Sequence, residues 1–409
     1  MASQPSQLLG GMYTTRVLPV DISKIGDFTF SDDARPFLDD WSLQQGSDNS
    51  DYAKVQEAAL LIRHSDVPVA FPTETVYGLG ADATRSSAVQ GIYRAKNRPS
   101  DNPLIVHISS LPQLRKLLRE KSEDKSSDPI PQIYHPLIDH FWPGPLTILL
   151  PLPRPSPFAP EVTSTLQTVG VRMPSQKLAL ALIQMAGVPV AAPSANASGK
   201  PSPTTASHVK HDLDGRIELI LDGGPCEVGV ESTVVDGLSK PPLILRPGHI
   251  SLEVLRQFPG WEDVQVGYSE TRLDEAPKAP GMKYRHYSPR ARVILVKGPP
   301  SEGVLASFED TTKSVGIILT GTRVLSNGES CRHLRSEAAC HQRGNMSVWT
   351  ISIGPSIADI ARGLFSALRE LDDKRVDLIL VEGIDENQGD AAAAVMNRLR
   401  KAAETEVLS

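Results

Sequence analysis

At 409 residues the chain exceeds what one ordinary hydrophobic core organises, and two domains are expected. Hydrophobic residues make up 40% and charged residues 22%, which excludes disordered and fibrous classes, and no run of 18 apolar residues offers a membrane span. The formal charge of −6 argues against nucleic-acid binding through a general basic field, though a local patch stays open, and Cys226, Cys331 and Cys340 lack the paired spacing of a zinc site or redox dithiol.

Residues 1–50 carry Ser, Asp, Gly and Pro between a few apolar positions and read as a loosely held arm, with ordered structure beginning near Tyr52. Its start lacks the basic and apolar segments of a secretory signal, and Arg16 is the sole basic residue of the first twenty. A reducing, cytoplasmic location is expected, with a minor mitochondrial pool if Met12 serves as a second start.

From Tyr52 the pattern alternates. Helical spacing over Tyr52–His64, with Val55, Ala58, Ala59 and Ile62 on one face, precedes the strand Val67–Phe71. Further strands are expected at Leu104–Ile108, Thr147–Leu150, Val169–Met173, Val188–Ala192, Leu219–Leu221, Ser232–Val235 and Leu243–Leu245. Helices are expected at Ala88–Lys96, Leu111–Arg119, Ile133–Phe141, Lys177–Ala186, Thr204–Val209 and Leu252–Gln257. Residues 51–259 therefore read as a mixed α/β domain. Lys121–Asp128 is charged and reads as an exposed insertion, and residues 260–291, rich in Pro, Gly and charge, as an interdomain linker.

A second alternation fills residues 292–409. Strands at Val293–Val296, Val315–Leu319, Val348–Ile353 and Leu378–Val381, with helices at Ile357–Leu371 and Asp390–Lys401, predict a small doubly wound parallel sheet. Val381-Glu-Gly-Ile-Asp385 ends a strand at that sheet's binding edge, but no phosphate loop precedes it. Ala391–Ala394 reads as helix packing.

Four constellations in the first domain carry chemistry. Phe71-Pro-Thr-Glu-Thr-Val-Tyr-Gly-Leu-Gly80 follows a strand, where an α/β sheet opens toward ligands, although such residues also make ordinary turns. In Lys96-Asn-Arg-Pro-Ser-Asp-Asn-Pro-Leu-Ile-Val-His107, Lys96 and Arg98 could converge with Asn102 on a polyphosphate; a helix macrodipole also favours cations there. His107 is either a satisfied structural residue or part of a site. Arg172, in Thr168-Val-Gly-Val-Arg-Met-Pro174, is costly to bury unless a substrate carboxylate or a structural Asp or Glu meets it.

The fourth, Val190-Ala-Ala-Pro-Ser-Ala-Asn-Ala-Ser-Gly-Lys-Pro-Ser202, lets a ligand approach the backbone and offers Ser194, Asn196, Ser198 and Ser202 as neutral polar groups. It is neither a Walker loop nor a Rossmann fingerprint. Glu231-Ser-Thr-Val-Val-Asp236 and Leu245-Arg-Pro-Gly248 repeat the theme of polar groups at strand ends, with Arg246 a further phosphate contact.

Taken in order, PTETVYGLG, KNRPSDNPL, VGVRMP, APSANASGKPSPT, STVVD and LRPG resemble the signatures of the threonylcarbamoyl-AMP synthases, the YrdC-like family, over residues 52–258. The run Ala279-Pro-Gly-Met-Lys-Tyr-Arg-His-Tyr-Ser-Pro289 is similar to the linker of the family's long form, and residues 293–409 resemble its C-terminal domain more loosely. The resemblance implies an α/β chain: a YrdC-like twisted mixed sheet with flanking helices, a linker closing over the active site, and a smaller Rossmann-like parallel-sheet domain. It implies a nucleotidyltransferase that joins L-threonine, bicarbonate and ATP into threonylcarbamoyl-AMP and pyrophosphate.

By motif, Thr75, His107, Arg172, Ala192 and Ser232 would lie around threonine. Lys96, Arg98, Asn102, Thr168, Ser194, Asn196, Ser202 and Arg246 would line ATP, with Tyr284 closing over them and Lys96 and Arg98 acting on the phosphates. Mg2+ would arrive with ATP and need no dedicated protein site. The product would pass to the machinery that modifies tRNA beside the anticodon, with at most a weak tRNA contact. The C-terminal domain would support closure of the linker without doing chemistry. The competing readings are an RNA-binding translation factor using the same basic cleft, and a carbamoyltransferase or hydrolase of related fold.

Overall fold

A computed structural model of the chain describes residues 13–31, 37–46, 50–119, 127–267, 287–309, 311–321, 338–388 and 391–409. Tyr284 and most of the 121–128 insertion fall outside these residues. In the N-terminal part the strands are β1 (Arg16–Pro19), β2 (Asp27–Phe30), β3 (Trp41–Gln44), β4 (Val69–Phe71), β5 (Gly78–Asp82), β6 (Ile105–His107) and β7 (Leu146–Pro151). They continue with β8 (Thr168–Arg172), β9 (Val190–Ala191), β10 (Leu219–Asp222), β11 (Thr233–Asp236), β12 (Leu243–Arg246) and β13 (Gln265–Val266). The C-terminal part holds β14 (Arg292–Lys297), β15 (Ser314–Leu319), β16 (Ala339–Arg343), β17 (Met346–Ser352), β18 (Leu378–Glu382) and β19 (Thr405–Leu408).

All N-terminal strands except the β2–β3 hairpin join one mixed sheet in the order β1-β10-β4-β5-β9-β6-β8-β7-β11-β12-β13. The helix Tyr52–His64 covers one face because Val55, Ala58, Ala59 and Ile62 recur at helical spacing and are all buried against the more apolar helix Lys177–Ala186. The C-terminal sheet runs β16-β17-β15-β18-β14-β19, parallel except at β16. Its helices Ile357–Asp373 and Ala392–Ala402 pack on it as the alternation predicts.

The N-terminal arm requires correction. Residues 16–19 pair in parallel with β10, and Phe28, Phe37 and Trp41 stack in an edge-on cluster that joins the main core. Arg16 faces Leu219 across some two hundred residues of chain, so this four-residue strand is stabilised by a non-local partner that its own sequence does not announce. β5 is a second difference: it starts inside the run that ends at Gly80, where a strand end or an ordinary turn is expected, and continues to Asp82. A side chain at position 80 would meet Phe71 at 2.6 Å, so glycine there lets the strand lie against that ring.

The two parts share a core. Val76 and Val230 of the N-terminal part are buried in the same cluster as Ile360, Leu364 and Phe365 of the C-terminal part. Gly229 makes that approach feasible, since a Cβ there would sit 2.3 Å from the Arg362 Cα.

Candidate active site

Sheet register builds the site. β6 and β8 run parallel with His107 opposite Arg172, which places an imidazole and a guanidinium side by side where both strands end. β9 runs antiparallel to β6, so the loop after it lies alongside Leu104 and Ile105, toward the other end of the same strand. The result is one cleft with Thr75, His107, Arg172 and Ser232 toward one end, Lys96, Arg98, Ser194 and Asn196 toward the other, and Arg246 lining it as well.

At the first end Arg172 is buried and held as a fixed fork. Its Nη1 donates to Thr75 Oγ1 at 2.9 Å, its Nη2 to Glu74 Oε1 at 2.5 Å, and its Nε to the Gly144 carbonyl at 3.3 Å. Of the two anions considered for this arginine, the structure supplies the protein carboxylate, Glu74. A guanidinium has five N–H donors, so these three bonds leave two for an incoming carboxylate. His107 beside it is wholly buried, and burial, reinforced by the Arg172 charge, holds its imidazole down at about 3. The ring is therefore neutral at physiological pH, and its Nδ1 has no partner among the described residues.

At the second end, Lys96 terminates the helix Ser86–Lys96 and is buried under the 194–196 loop. Its ammonium donates to the carbonyls of Ser194 and Asn196 and to Asn196 Oδ1, matching three N–H donors to three oxygens. Burial, with Arg98 next, pulls its pKa well below the usual lysine range. Lys96 thus both ties the loop and places a positive charge beneath it. Arg98 is half-buried and donates to the Pro103 carbonyl at 3.2 Å.

Between the ends stands Glu231, the one carboxylate lining the cleft among the described residues. It accepts from Ser202 Oγ at 2.5 Å, from Arg398 Nε at 3.0 Å and from the Tyr287 hydroxyl. Burial pushes its pKa up, but Arg398 and Arg246 outweigh it and hold the carboxylate at about 2. Arg246 donates to the Ser232 carbonyl and hydroxyl at 3.1 and 3.0 Å, and burial lowers its pKa only to about 10. No group of three His, Cys, Asp or Glu side chains among the described residues is arranged to hold a metal ion.

Of the expected residues, Thr75, Lys96, Arg98, His107, Arg172, Ala192, Ser194, Asn196, Ser202, Ser232 and Arg246 line this one cleft. Asn102 and Thr168 do not. Thr168 opens β8 against Pro151, about 13 Å along the strand from Arg172 at 3.3 Å per residue, and Asn102 precedes β6 on the same side. Tyr284 lies outside the described residues, whereas Tyr287, three positions on, lines the cleft and stacks on Phe365 at 5.1 Å.

Sequence reasoning passed over Glu74, Glu231, Tyr287 and Arg398 as site residues. Glu74 lay inside the first quoted motif and Glu231 at the start of the fifth, so position was available as a signal. Arg398, on a helix 167 residues from its carboxylate partner, offered none.

A family model described as Telomere recombination matches residues 62–248, and the model for the threonylcarbamoyl-AMP synthase C-terminal domain matches residues 250–404. The threonylcarbamoyl-AMP synthase of Schizosaccharomyces pombe is 49% identical over 85% of this chain and 88% of its own length. That of Bacillus subtilis is 43% identical over 86% and 93%. The crystal structure of P. abyssi Sua5 complexed with L-threonine superposes with a TM-score of 0.72 at 38% identity, covering 97% of this chain and 100% of that one. With both models matched in order and the relatives aligned across both domains, the chain belongs to the threonylcarbamoyl-AMP synthase family in its two-domain form.

Proposed function

We propose that the cleft joins L-threonine, bicarbonate and ATP into threonylcarbamoyl-AMP and pyrophosphate, making the chain a nucleotidyltransferase. The observation that carries this reading is the Arg172 fork: a buried guanidinium with two donors left over, beside a neutral imidazole, in the same cleft as Lys96 and Arg246. The two donors suit the threonine carboxylate, with Thr75, His107, Ala192 and Ser232 around the rest of the amino acid.

The threonine amine and bicarbonate combine with loss of water to give a carbamate. A carbamate oxygen then attacks the α-phosphorus of ATP, the bond to the β-phosphate oxygen breaks, and pyrophosphate leaves with its electron pair. Because the carbamate is already an oxyanion, the reaction needs positioning and charge neutralisation and no activated side-chain nucleophile. Lys96, Arg98 and Arg246 supply that charge, and Ser194, Asn196 and Ser202 line the nucleotide. Asn102 and Thr168 would reach it only if the nucleotide extends past the lining. Mg2+ would come with ATP and supply charge neutralisation to the phosphates; Glu231, the one carboxylate lining the cleft among the described residues, is already held by Arg398, which fits a metal carried by the nucleotide and not by the protein.

The product's threonylcarbamoyl group would go to the machinery that modifies adenosine beside the anticodon of tRNAs reading codons that begin with A, in the cytoplasm. No helix among the described residues is long and apolar enough to cross a membrane. Burial weighs against the RNA-binding alternative: Lys96, Arg172 and Arg246 are 1%, 4% and 6% exposed, out of reach of a nucleic-acid backbone.

Purified protein supplied with ATP, threonine and bicarbonate is expected to release pyrophosphate only when all three are present. Release that is independent of threonine, or none at all, would overturn this reading.

A further inference from the structure

Arg398 belongs to the last helix of the C-terminal domain, Ala392–Ala402, yet its side chain is wholly buried against the catalytic domain. Besides Glu231 it donates to the Pro247 carbonyl at 2.5 Å, next to Arg246, and its guanidinium lies 5.9 Å from the Tyr287 ring centre. Glu231 in turn accepts hydrogen bonds from Ser202 Oγ and from the Tyr287 hydroxyl. One carboxylate therefore ties together a loop of the catalytic domain, the end of the linker and the C-terminal domain.

We propose that Arg398 is a positioning residue for the nucleotide half of the reaction, acting through Glu231. The inference rests on the reading of the cleft given above. Its logic is electrostatic. A bare carboxylate in the wall of a triphosphate site repels the substrate, and in a poorly solvated cleft that repulsion is only weakly screened. Arg398 cancels the charge and aims both oxygens, so that Ser202 and Tyr287 are fixed and the Arg246 charge is left to the nucleotide phosphates. The C-terminal domain thereby completes the site without touching the reacting atoms. Threonine, gripped by Arg172 and His107 at the other end, is expected to be nearly indifferent to it.

A double-mutant cycle on the full-length protein separates this role from a merely structural one. Wild-type protein must first show threonine-dependent pyrophosphate release; failure there strikes the functional reading and not this inference. Arg398→Met, which leaves Glu231 unpaired, is expected to raise KM for ATP about 10- to 100-fold and KM for threonine less than about threefold. Arg398→Lys should fall between. Because breaking one side of a buried pair can prevent folding, the second arm uses Glu231→Gln and the Glu231→Gln/Arg398→Met double variant. With the carboxylate neutralised, removal of Arg398 should change KM for ATP by less than about threefold. Equal effects on both substrates, a fall in kcat with both KM values unchanged, or a further rise of about tenfold between Glu231→Gln and the double variant would each overturn the proposal.

Discussion

Arg369 of the C-terminal domain grips Asp212 of the catalytic domain through two hydrogen bonds, 2.8 Å from Nη2 and 3.1 Å from Nη1, with the Asp212 side chain fully buried. The same Nη2 donates to the Pro201 carbonyl, in the loop that carries Ser202. This ion pair thus anchors the second domain directly behind the nucleotide-lining loop.

Arg369→Met leaves a buried carboxylate short of its main partner. Lys200 at 3.5 Å and His211 at 3.1 Å compensate partly, so the loss is expected at the low end of the range for broken buried pairs, about 3 kcal/mol. Arg369→Met/Asp212→Asn should recover most of it. Chemical denaturation of the three proteins decides the matter: equal midpoints for wild type and Arg369→Met would remove the pair as a domain anchor. Burial raises the Asp212 pKa, but Arg369 outweighs it and holds it at about 2. The pair's contribution is therefore complete above the unfolded aspartate value, about 3.9, and is lost as pH falls through about 2.

What was legible in the sequence follows from locality. The helix Tyr52–His64 has the boundaries expected because its burial pattern is written in its own thirteen residues. The cleft was legible because all of its motifs but that of Lys96, which ends a helix, sit at strand ends, where topology brings side chains together. The strand Arg16–Pro19 was not, since its stability comes from β10, and neither was Arg398, since an arginine on an amphipathic helix ordinarily faces solvent. Whether Arg172 would meet a protein anion or a substrate anion could not be read from sequence either. Glu74 stands almost a hundred residues away, and only the register of β8 against its neighbours brings the two within 2.5 Å.

The same pair allows the division of the cleft to be tested. Removing Arg172 alone would leave Glu74 buried and uncompensated, so Arg172→Ala is best made together with Glu74→Gln. Loss of charge-assisted hydrogen bonds of about 1.5–3 kcal/mol corresponds to a rise in KM for threonine of about 10- to 100-fold, with KM for ATP moving less than about threefold. Steady-state kinetics with each substrate varied in turn measures the split. An effect falling first on ATP would mean that the two ends of the cleft have been assigned the wrong way round.

Lys96 predicts a proton linkage. Its pKa lies well below the usual lysine range in the free protein because burial and Arg98 both disfavour its charge, and a bound triphosphate favours that charge again. Between the free and bound values, ATP binding must take up a proton. Calorimetric titrations repeated at intervals from pH 7.5 to pH 10, where ATP itself is deprotonated, should pass through a range in which the binding enthalpy varies with the ionisation enthalpy of the buffer in the sense of proton uptake. Lys96→Met should lose the dependence. A wild-type enthalpy independent of buffer at every pH in that range would show that ATP binding does not raise the lysine's proton affinity.

Two buried histidines set the response to acid. Burial holds His107 at about 3 and, with Arg369 adding to the effect, His208 at about 4, both below the unfolded value near 6.5. Between those limits the unfolded chain binds protons that the folded chain refuses, so stability rises with pH over the window and falls as pH drops from about 6.5 toward 4 and then 3. The effect has the same sign at both sites, and the depressed carboxylates Asp212 and Glu231 add their own loss from about pH 4, where the unfolded chain takes up carboxylate protons, down through about 2. Urea midpoints measured at intervals from pH 7 to pH 4 should therefore decline, and more gently in His208→Gln and His107→Gln than in the wild type. Because His208 is outside the cleft lining, His208→Gln should flatten the profile while leaving KM for threonine unchanged; His107→Gln should alter both. If the slopes of all three proteins coincide, the buried imidazoles are not the groups that charge on unfolding, and the neutral ring beside Arg172 loses its support.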